Sequence, residues 1–195
     1  MSLSHPLHAE APRAPSFALP ALAFFWGLAE STVFFIAPDV LLTRLALTDY
    51  RRALVAAGWA LAGSLIGGTL LWFAASQGDM QVLLRAADWV PGISRDMIIR
   101  AAQALQTHGL GALFTGVFTA QPYKVYALHA GAQQIALVPF LLASLAARLC
   151  GFAATSAVAW GLARIFGEHA RPATKLRLHI YAWSVFYGVY FAVTR

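Results

Sequence analysis

Cysteine is nearly missing from this chain. Cys150 stands alone among 195 residues, so no intrachain disulfide and no cysteine-built metal site can form. Its expected role is small-residue packing. Charge is scarce as well. Asp, Glu, Lys and Arg make up 11% of the residues, against about 25% in an average soluble domain. Also missing are a nucleotide-phosphate loop, a nucleophile-elbow motif and a zinc-protease helix. His5, His8, His108, His169 and His179 are scattered without metal-ligand spacing. Soluble enzyme chemistry therefore has no foothold, and no catalytic residue, metal or cofactor is expected.

Apolar sequence fills the space. Hydrophobic residues are 59% of the chain and the mean hydropathy is +0.64. Residues 53–78 carry no charge, and about 20 apolar residues suffice to cross a bilayer as a helix. Residues 125–147 and 149–163 are uncharged on either side of Arg148, and 180–194 form a shorter aromatic run. These runs predict an all-α integral membrane protein, since open sheet edges are not tolerated in lipid. The net charge of +6 and the pI near 10.0 suggest nucleic acid at first. However, the basic residues flank the apolar runs, which suits topology determinants and lipid headgroup contacts instead.

Two prolines sit within apolar runs, each beside a charge. Val33-Phe34 leads to Pro38 and then Asp39, with Glu30 upstream; Val117-Phe118 leads to Pro122 and then Lys124. Proline breaks a helix because it lacks the amide donor and crowds the preceding turn. A charge at the centre of a membrane helix costs roughly 2.5–3.5 kcal/mol on insertion scales. Broken apolar segments with charges at the break usually mark a substrate or ion site. The pattern occurs twice here, with opposite sign, and it predicts two re-entrant helical hairpins related as inverted repeats.

The resulting organisation is a disordered tail over 1–16 and one membrane domain over 17–195. Within that domain we expect a first hairpin at 17–49, a transmembrane helix at 51–77 and an interfacial amphipathic segment at 79–108. A second hairpin at 109–133, a transmembrane helix at 135–166, a basic loop at 167–177 and a last transmembrane helix at 179–194 complete it. That makes about three full crossings. Thr48 or Asp49 is placed to cap the helix that follows, and Gly63 with Gly67 fits a close helix contact. No small-residue cleavage site follows the first apolar run before Glu30, so that run is expected to direct insertion itself. With both hairpins entering and leaving by one face, Arg13, Arg44, Arg51, Arg52, Arg164, Arg171, Lys175 and Arg177 share a side, against Arg85, Arg95, Arg100 and Arg195. The excess of basic residues places the N-terminus in the cytoplasm and the C-terminus opposite.

Glu30-Ser31-x-x-Phe34-x-Ile36-x-Pro38-Asp39-Val40-Leu41-Leu42 resembles the first signature of DedA-type membrane proteins. Phe118-Thr119-x-x-Pro122-Tyr123-Lys124-Val125, followed by Ala130-Gly131, Pro139 to Ser144 and Arg148, is similar to the second. The match is to the smaller YqaA-like branch of the group, the VTT or SNARE-associated domain, over roughly residues 24 to 166. The resemblance implies two intramembrane hairpins and lipid transport: bacterial members recycle undecaprenyl phosphate in a proton-motive-force-dependent way, and eukaryotic relatives scramble phospholipids. A bacterial inner membrane is the implied location. Glu30 and Asp39 match the family's acidic pair. The second hairpin departs from the family, with Thr119 where one arginine is expected and Lys124 near the other. Arginine binds phosphate as a fork and lysine as a point charge, so either the lipid differs or Arg148 supplies the second cation.

The candidate binding residues are thus Glu30, Asp39, Lys124 and Arg148, with Gln121 and Tyr123 adding hydrogen-bonding groups and Tyr126 nearby. Glu30 and Asp39 would carry or gate a proton; Lys124 and Arg148 would meet a lipid phosphate. Against this stands a plainer reading, in which the carboxylates form a structural ion pair with Lys124 or Arg148. His129 is expected to be a satisfied core residue rather than a proton relay. The tryptophans and C-terminal aromatics are assigned to interfacial belts or packing. The expected function is a flippase or transporter of a lipid phosphate. The alternatives are a non-transporting scaffold for envelope homeostasis, an intramembrane lipid hydrolase and, less favoured, a channel.

Overall fold

The computed structural model describes residues 17–78, 90–165 and 171–194, and the expected N-terminal tail lies outside them. Among the described residues the chain is helical, with no strand. Two of the described helices are long and apolar enough to cross a membrane: Tyr50–Gln77, mean hydropathy 1.7, and Leu137–Ile165, mean hydropathy 1.8. They are labelled α3 and α7. The other helices are α1 (Ala18–Glu30), α2 (Asp39–Ala46), α4 (Arg95–His108), α5 (Ala112–Phe118), α6 (Tyr123–Ala132) and α8 (Pro172–Val193). Both prolines do interrupt helices, Pro38 just before α2 and Pro122 just before α6.

The helix α3 organises everything else. Asp49 caps its start by accepting from the Arg52 amide at 3.0 Å, one of the two caps named from sequence. Its small residues admit α1 closely. A methyl added at Gly27 would strike the Ala60 carbonyl, and one at Gly63 would strike the Phe24 carbonyl. The Ser64 hydroxyl donates to the Gly27 carbonyl at 3.2 Å, and further along Ser31 lies on Gly67. So α1 and α3 run in the same direction. At a rise of about 1.5 Å per residue, Gly67 is about 25 Å along α3 from Tyr50. The residues between Ser31 and Tyr50 must cover that distance backwards, so the chain doubles back there.

The second helix–break–helix unit meets α3 from its other end. Tyr123 lies on Gly68, and Gly131 packs against the Trp72 carbonyl and Ala75. The Trp72 indole donates to the Ile135 carbonyl at 2.9 Å. Thus α6 starts beside the middle of α3 and ends near its C-terminus, where α7 begins. From there α7 returns, ending with Trp160 against Tyr50, ring centroids 5.6 Å apart.

This layout gives two cores. One joins Ala23 of α1 and Leu42 of α2 to Ala56, Ala57, Ala60 and Leu61 of α3 and Phe152 of α7. The other joins α4, α5 and α6 to Ala75 of α3 and to Phe140 and Ala147 of α7. One core therefore holds the N-terminal half of α3 and the other its C-terminal half. The two helix breaks lie between them.

Three boundaries differ from the sequence reading. The expected interfacial segment appears as α4, capped by Ser94 through the Met97 amide at 3.4 Å; its residues 79–89 lie outside the described set. The expected basic loop at 167–177 gives way to helix from Pro172. Proline at the first helical position sets φ and gives up an amide that would have no partner there. Finally, α8 has 22 residues and none is buried, but it falls short of the apolarity that marks the two crossing helices.

Candidate functional site

A cavity of about 320 Å³ lies where the two breaks meet, within the size range of small-ligand sites. Glu30, Asp39, Gln121, Tyr123, Lys124 and Arg148 all line it. The structure therefore gathers every residue named as a candidate from sequence. Tyr126 lines it too. His129 does not; its Nε2 meets the Ile98 carbonyl at 3.0 Å in a buried setting, as expected of a core histidine.

Each charged side chain is held from a different element. Glu30 ends α1, where the Thr32, Val33 and Phe34 amides all turn onto the Ala29 carbonyl and the Ser31 and Thr32 hydroxyls bond back to the Gly27 and Leu28 carbonyls at 2.5 and 2.9 Å. Arg148, midway along α7, donates from Nη2 to Glu30 Oε2 at 2.5 Å. Its guanidinium lies 4.7 Å from the Tyr123 ring centroid and 5.0 Å from that of Phe152. Both partners of the pair are about nine-tenths buried. Asp39 opens α2, where a negative charge suits the helix dipole, and accepts from the Thr155 hydroxyl at 2.6 Å. Lys124 is 3% exposed and donates from Nζ to the Phe34 carbonyl at 2.5 Å. The second break thus reaches across to the backbone of the first.

The open ion-pair question resolves to Arg148: it, not Lys124, pairs with Glu30. Glu30 and Arg148 still lie within electrostatic range of the Lys124 ammonium, and both do so for Asp39 as well. Two cations and two carboxylates thus share one site. Some hydrogen-bonding capacity remains unused. Arg148 Nε and Gln121 Oε1 are buried without a partner, and an ammonium has three donors, of which Lys124 gives one to Phe34. Ala120, in the second break, holds φ at 54°, a left-handed conformation that costs a non-glycine residue roughly 1–2 kcal/mol.

Two contributors escaped the sequence reading. Thr155 lies seven residues after Arg148 on α7, so both face the cavity, and that spacing was available as a signal. The other is the aromatic face of α8. Trp183, Phe186, Tyr187 and Tyr190 line the cavity instead of serving only as an interfacial belt. The Ala37 amide donates to the Tyr187 hydroxyl at 2.7 Å. Tyr190 donates to the Gly92 carbonyl at 2.6 Å. Among the described residues there is no cluster of three or more His, Cys, Asp or Glu side chains able to hold a metal.

Among the described residues these features define an all-helical arrangement with two helices apolar enough for a membrane and a charged cavity between two helix breaks. No protein-family model matches the chain, and no solved structure matches it. Over 173 residues it is 28% identical to an uncharacterized protein of Haemophilus influenzae, spanning 84% of this chain and 83% of that one.

Proposed function

We propose that the chain is a DedA-like membrane transporter that moves a lipid phosphate across the bilayer. The observation that carries this reading is the meeting of two oppositely charged helix breaks beside the middle of α3, around one cavity. In this reading α1–α2 and α5–α6 are re-entrant hairpins and α8 is a third crossing. The protein sits in the bacterial inner membrane with its N-terminus cytoplasmic. Undecaprenyl phosphate or a phospholipid is the substrate class implied by the signature residues.

The chemistry follows from what the four charged groups can do. Lys124 has donors left to offer an anion, and Arg148 can exchange Glu30 for a phosphate while keeping its ring contacts. Glu30, released from Arg148, is the first proton carrier in this reading. Asp39, held by Thr155, is the second proton carrier or gate. Transport of an anionic head thereby couples to proton movement.

The test is headgroup movement in proteoliposomes carrying a polyprenyl phosphate or a labelled phospholipid, with Lys124→Ala and Glu30→Gln compared to the native chain. Loss of rate in both variants at equal protein abundance supports the site. Unchanged rates in both reject it. A second reading, a non-transporting scaffold, draws on the same contacts: Arg148 ties α7 to the first break through Glu30, and Lys124 ties the second break to the first through the Phe34 carbonyl. It predicts that neutralising Glu30 or Asp39 acts only by lowering protein abundance.

A further inference from the structure

A second pocket lies away from the cavity, at the end of the helix pair where α3 starts and α7 stops. Its volume is about 610 Å³, and Asp49, Tyr50, Arg51, Trp160, Arg164 and Lys175 line it. Three segments converge there: the α2–α3 turn, the last turn of α7 and the first turns of α8. Tyr50 and Trp160 make an aromatic floor, tilted 35° to each other. The Arg164 guanidinium lies 5.0 Å from the Trp160 ring centroid. Three cations thus face one carboxylate, and Asp49 is already engaged by the Arg52 amide.

We infer that this pocket binds the phosphate headgroup of an anionic membrane lipid. The reasons are position and chemistry together. The site lies where two apolar helices end, the depth at which headgroups sit if these helices cross a bilayer. Basic pockets between transmembrane helices are suited to anionic headgroups. An arginine stacked on an indole is held in place with its donors free, which preserves its fork for a phosphate. The Tyr50 and Trp160 rings supply the amphipathic surface that favours the headgroup layer. A lipid bound here would tie the first turns of α8 to the α3–α7 pair, where direct packing is thin, since α8 has no buried residue. This site differs from the cavity and does not depend on transport.

The experiment is native mass spectrometry of the full chain in detergent, with phosphatidylglycerol, phosphatidylcholine and inorganic phosphate as separate probes. The native chain is expected to retain phosphatidylglycerol at roughly tenfold lower concentration than phosphatidylcholine. Arg164→Gln combined with Lys175→Gln should erase that preference, while Arg100→Gln, which removes an exposed cation of α4 outside both pockets, leaves it intact. Should the double variant unfold, Arg51→Gln alters an exposed side chain and should narrow the preference by itself. A preference that survives the removal of these cations overturns the inference. So does a preference lost in Lys124→Ala alone, which would assign it to the cavity. Inorganic phosphate protecting the chain against thermal unfolding as well as phosphatidylglycerol does would mark a site for a soluble anion, and would overturn the lipid assignment.

Discussion

Gly67 and Gly68, neighbours on α3, each carry one of the two helix breaks: Ser31 lies against the first and Tyr123 against the second. The two units approach from opposite ends of the helix and meet at adjacent residues. Any side chain at either position would push one break off α3. A methyl on Gly67 would meet the Ser31 hydroxyl, and one on Gly68 the Tyr123 ring.

The first prediction uses that contact. Gly68→Ala should lower stability by about 1–3 kcal/mol, the usual cost of overpacking a tight contact. Gly58 is the control, since nothing lies near a methyl added there. Gly58→Ala should be neutral or stabilising by up to about 1 kcal/mol, because alanine favours a helix interior. Thermal unfolding in detergent checks both. Equal behaviour of the two variants would mean that Gly68 is not a point of close approach.

The buried pair is the second test. Arg148 and Glu30 are 118 positions apart in the chain and 2.5 Å apart in space. Removing either partner leaves a buried charge alone, which costs about 3–5 kcal/mol. Glu30→Gln and Arg148→Gln should each destabilise strongly, and the double variant should be less damaged than the sum by about 0.5–3 kcal/mol. Additive losses in a double-mutant cycle of unfolding midpoints would show that the two side chains do not interact.

Thr155 gives a third prediction, one that separates position from bulk. Its hydroxyl is the donor to Asp39. Thr155→Val keeps the shape and removes the donor, at a cost of about 1–3 kcal/mol. Thr155→Ser restores the donor. If Asp39 acts in transport, the valine variant should lose headgroup movement in proteoliposomes and the serine variant should regain it. Valine with full activity would remove Thr155 from the site.

Much of this arrangement was legible in the residues, and its limits are physical. Pro38 and Pro122 announce the breaks because a ring without an amide donor cannot lie inside a helix. The start of the first break was harder to see. It falls at Ser31, seven residues before the proline, where the Thr32, Val33 and Phe34 amides all turn onto the Ala29 carbonyl; the Ser31 and Thr32 hydroxyls bond back to α1 carbonyls as well, but serine and threonine do the same within continuous helices. The charges at the breaks pointed to one site, but the choice of Arg148 over Lys124 as partner of Glu30 depends on how α7 crosses α1, which no local pattern encodes. The start of α8 was misread because Lys175 and Arg177 suggested a loop, although Pro172 carried the signal for a first helical turn. Trp183, Tyr187 and Tyr190 share a helical face at spacings of four and three. Composition alone does not separate an aromatic belt in lipid from an aromatic wall of a cavity.

That wall supplies the last prediction. Tyr187 is the hydrogen-bonding contact between α8 and the first break, beside the Phe35–Phe191 ring contact; its hydroxyl accepts from the Ala37 amide at 2.7 Å. Its ring stacks on Trp183 with centroids 5.7 Å apart. Tyr187→Phe keeps the stack and leaves the Ala37 amide without its acceptor, a loss of about 1–3 kcal/mol in a partly buried site. Tyr181 is 70% exposed, so Tyr181→Phe should leave stability within about 0.5 kcal/mol. The specific readout is hydrogen exchange at the Ala37 amide, which should accelerate in Tyr187→Phe and stay protected in Tyr181→Phe. Because the amide belongs to the break and the hydroxyl to α8, faster exchange there without global unfolding would show that α8 holds the first break closed. Unchanged exchange would mean that α8 only covers the cavity and does not brace it.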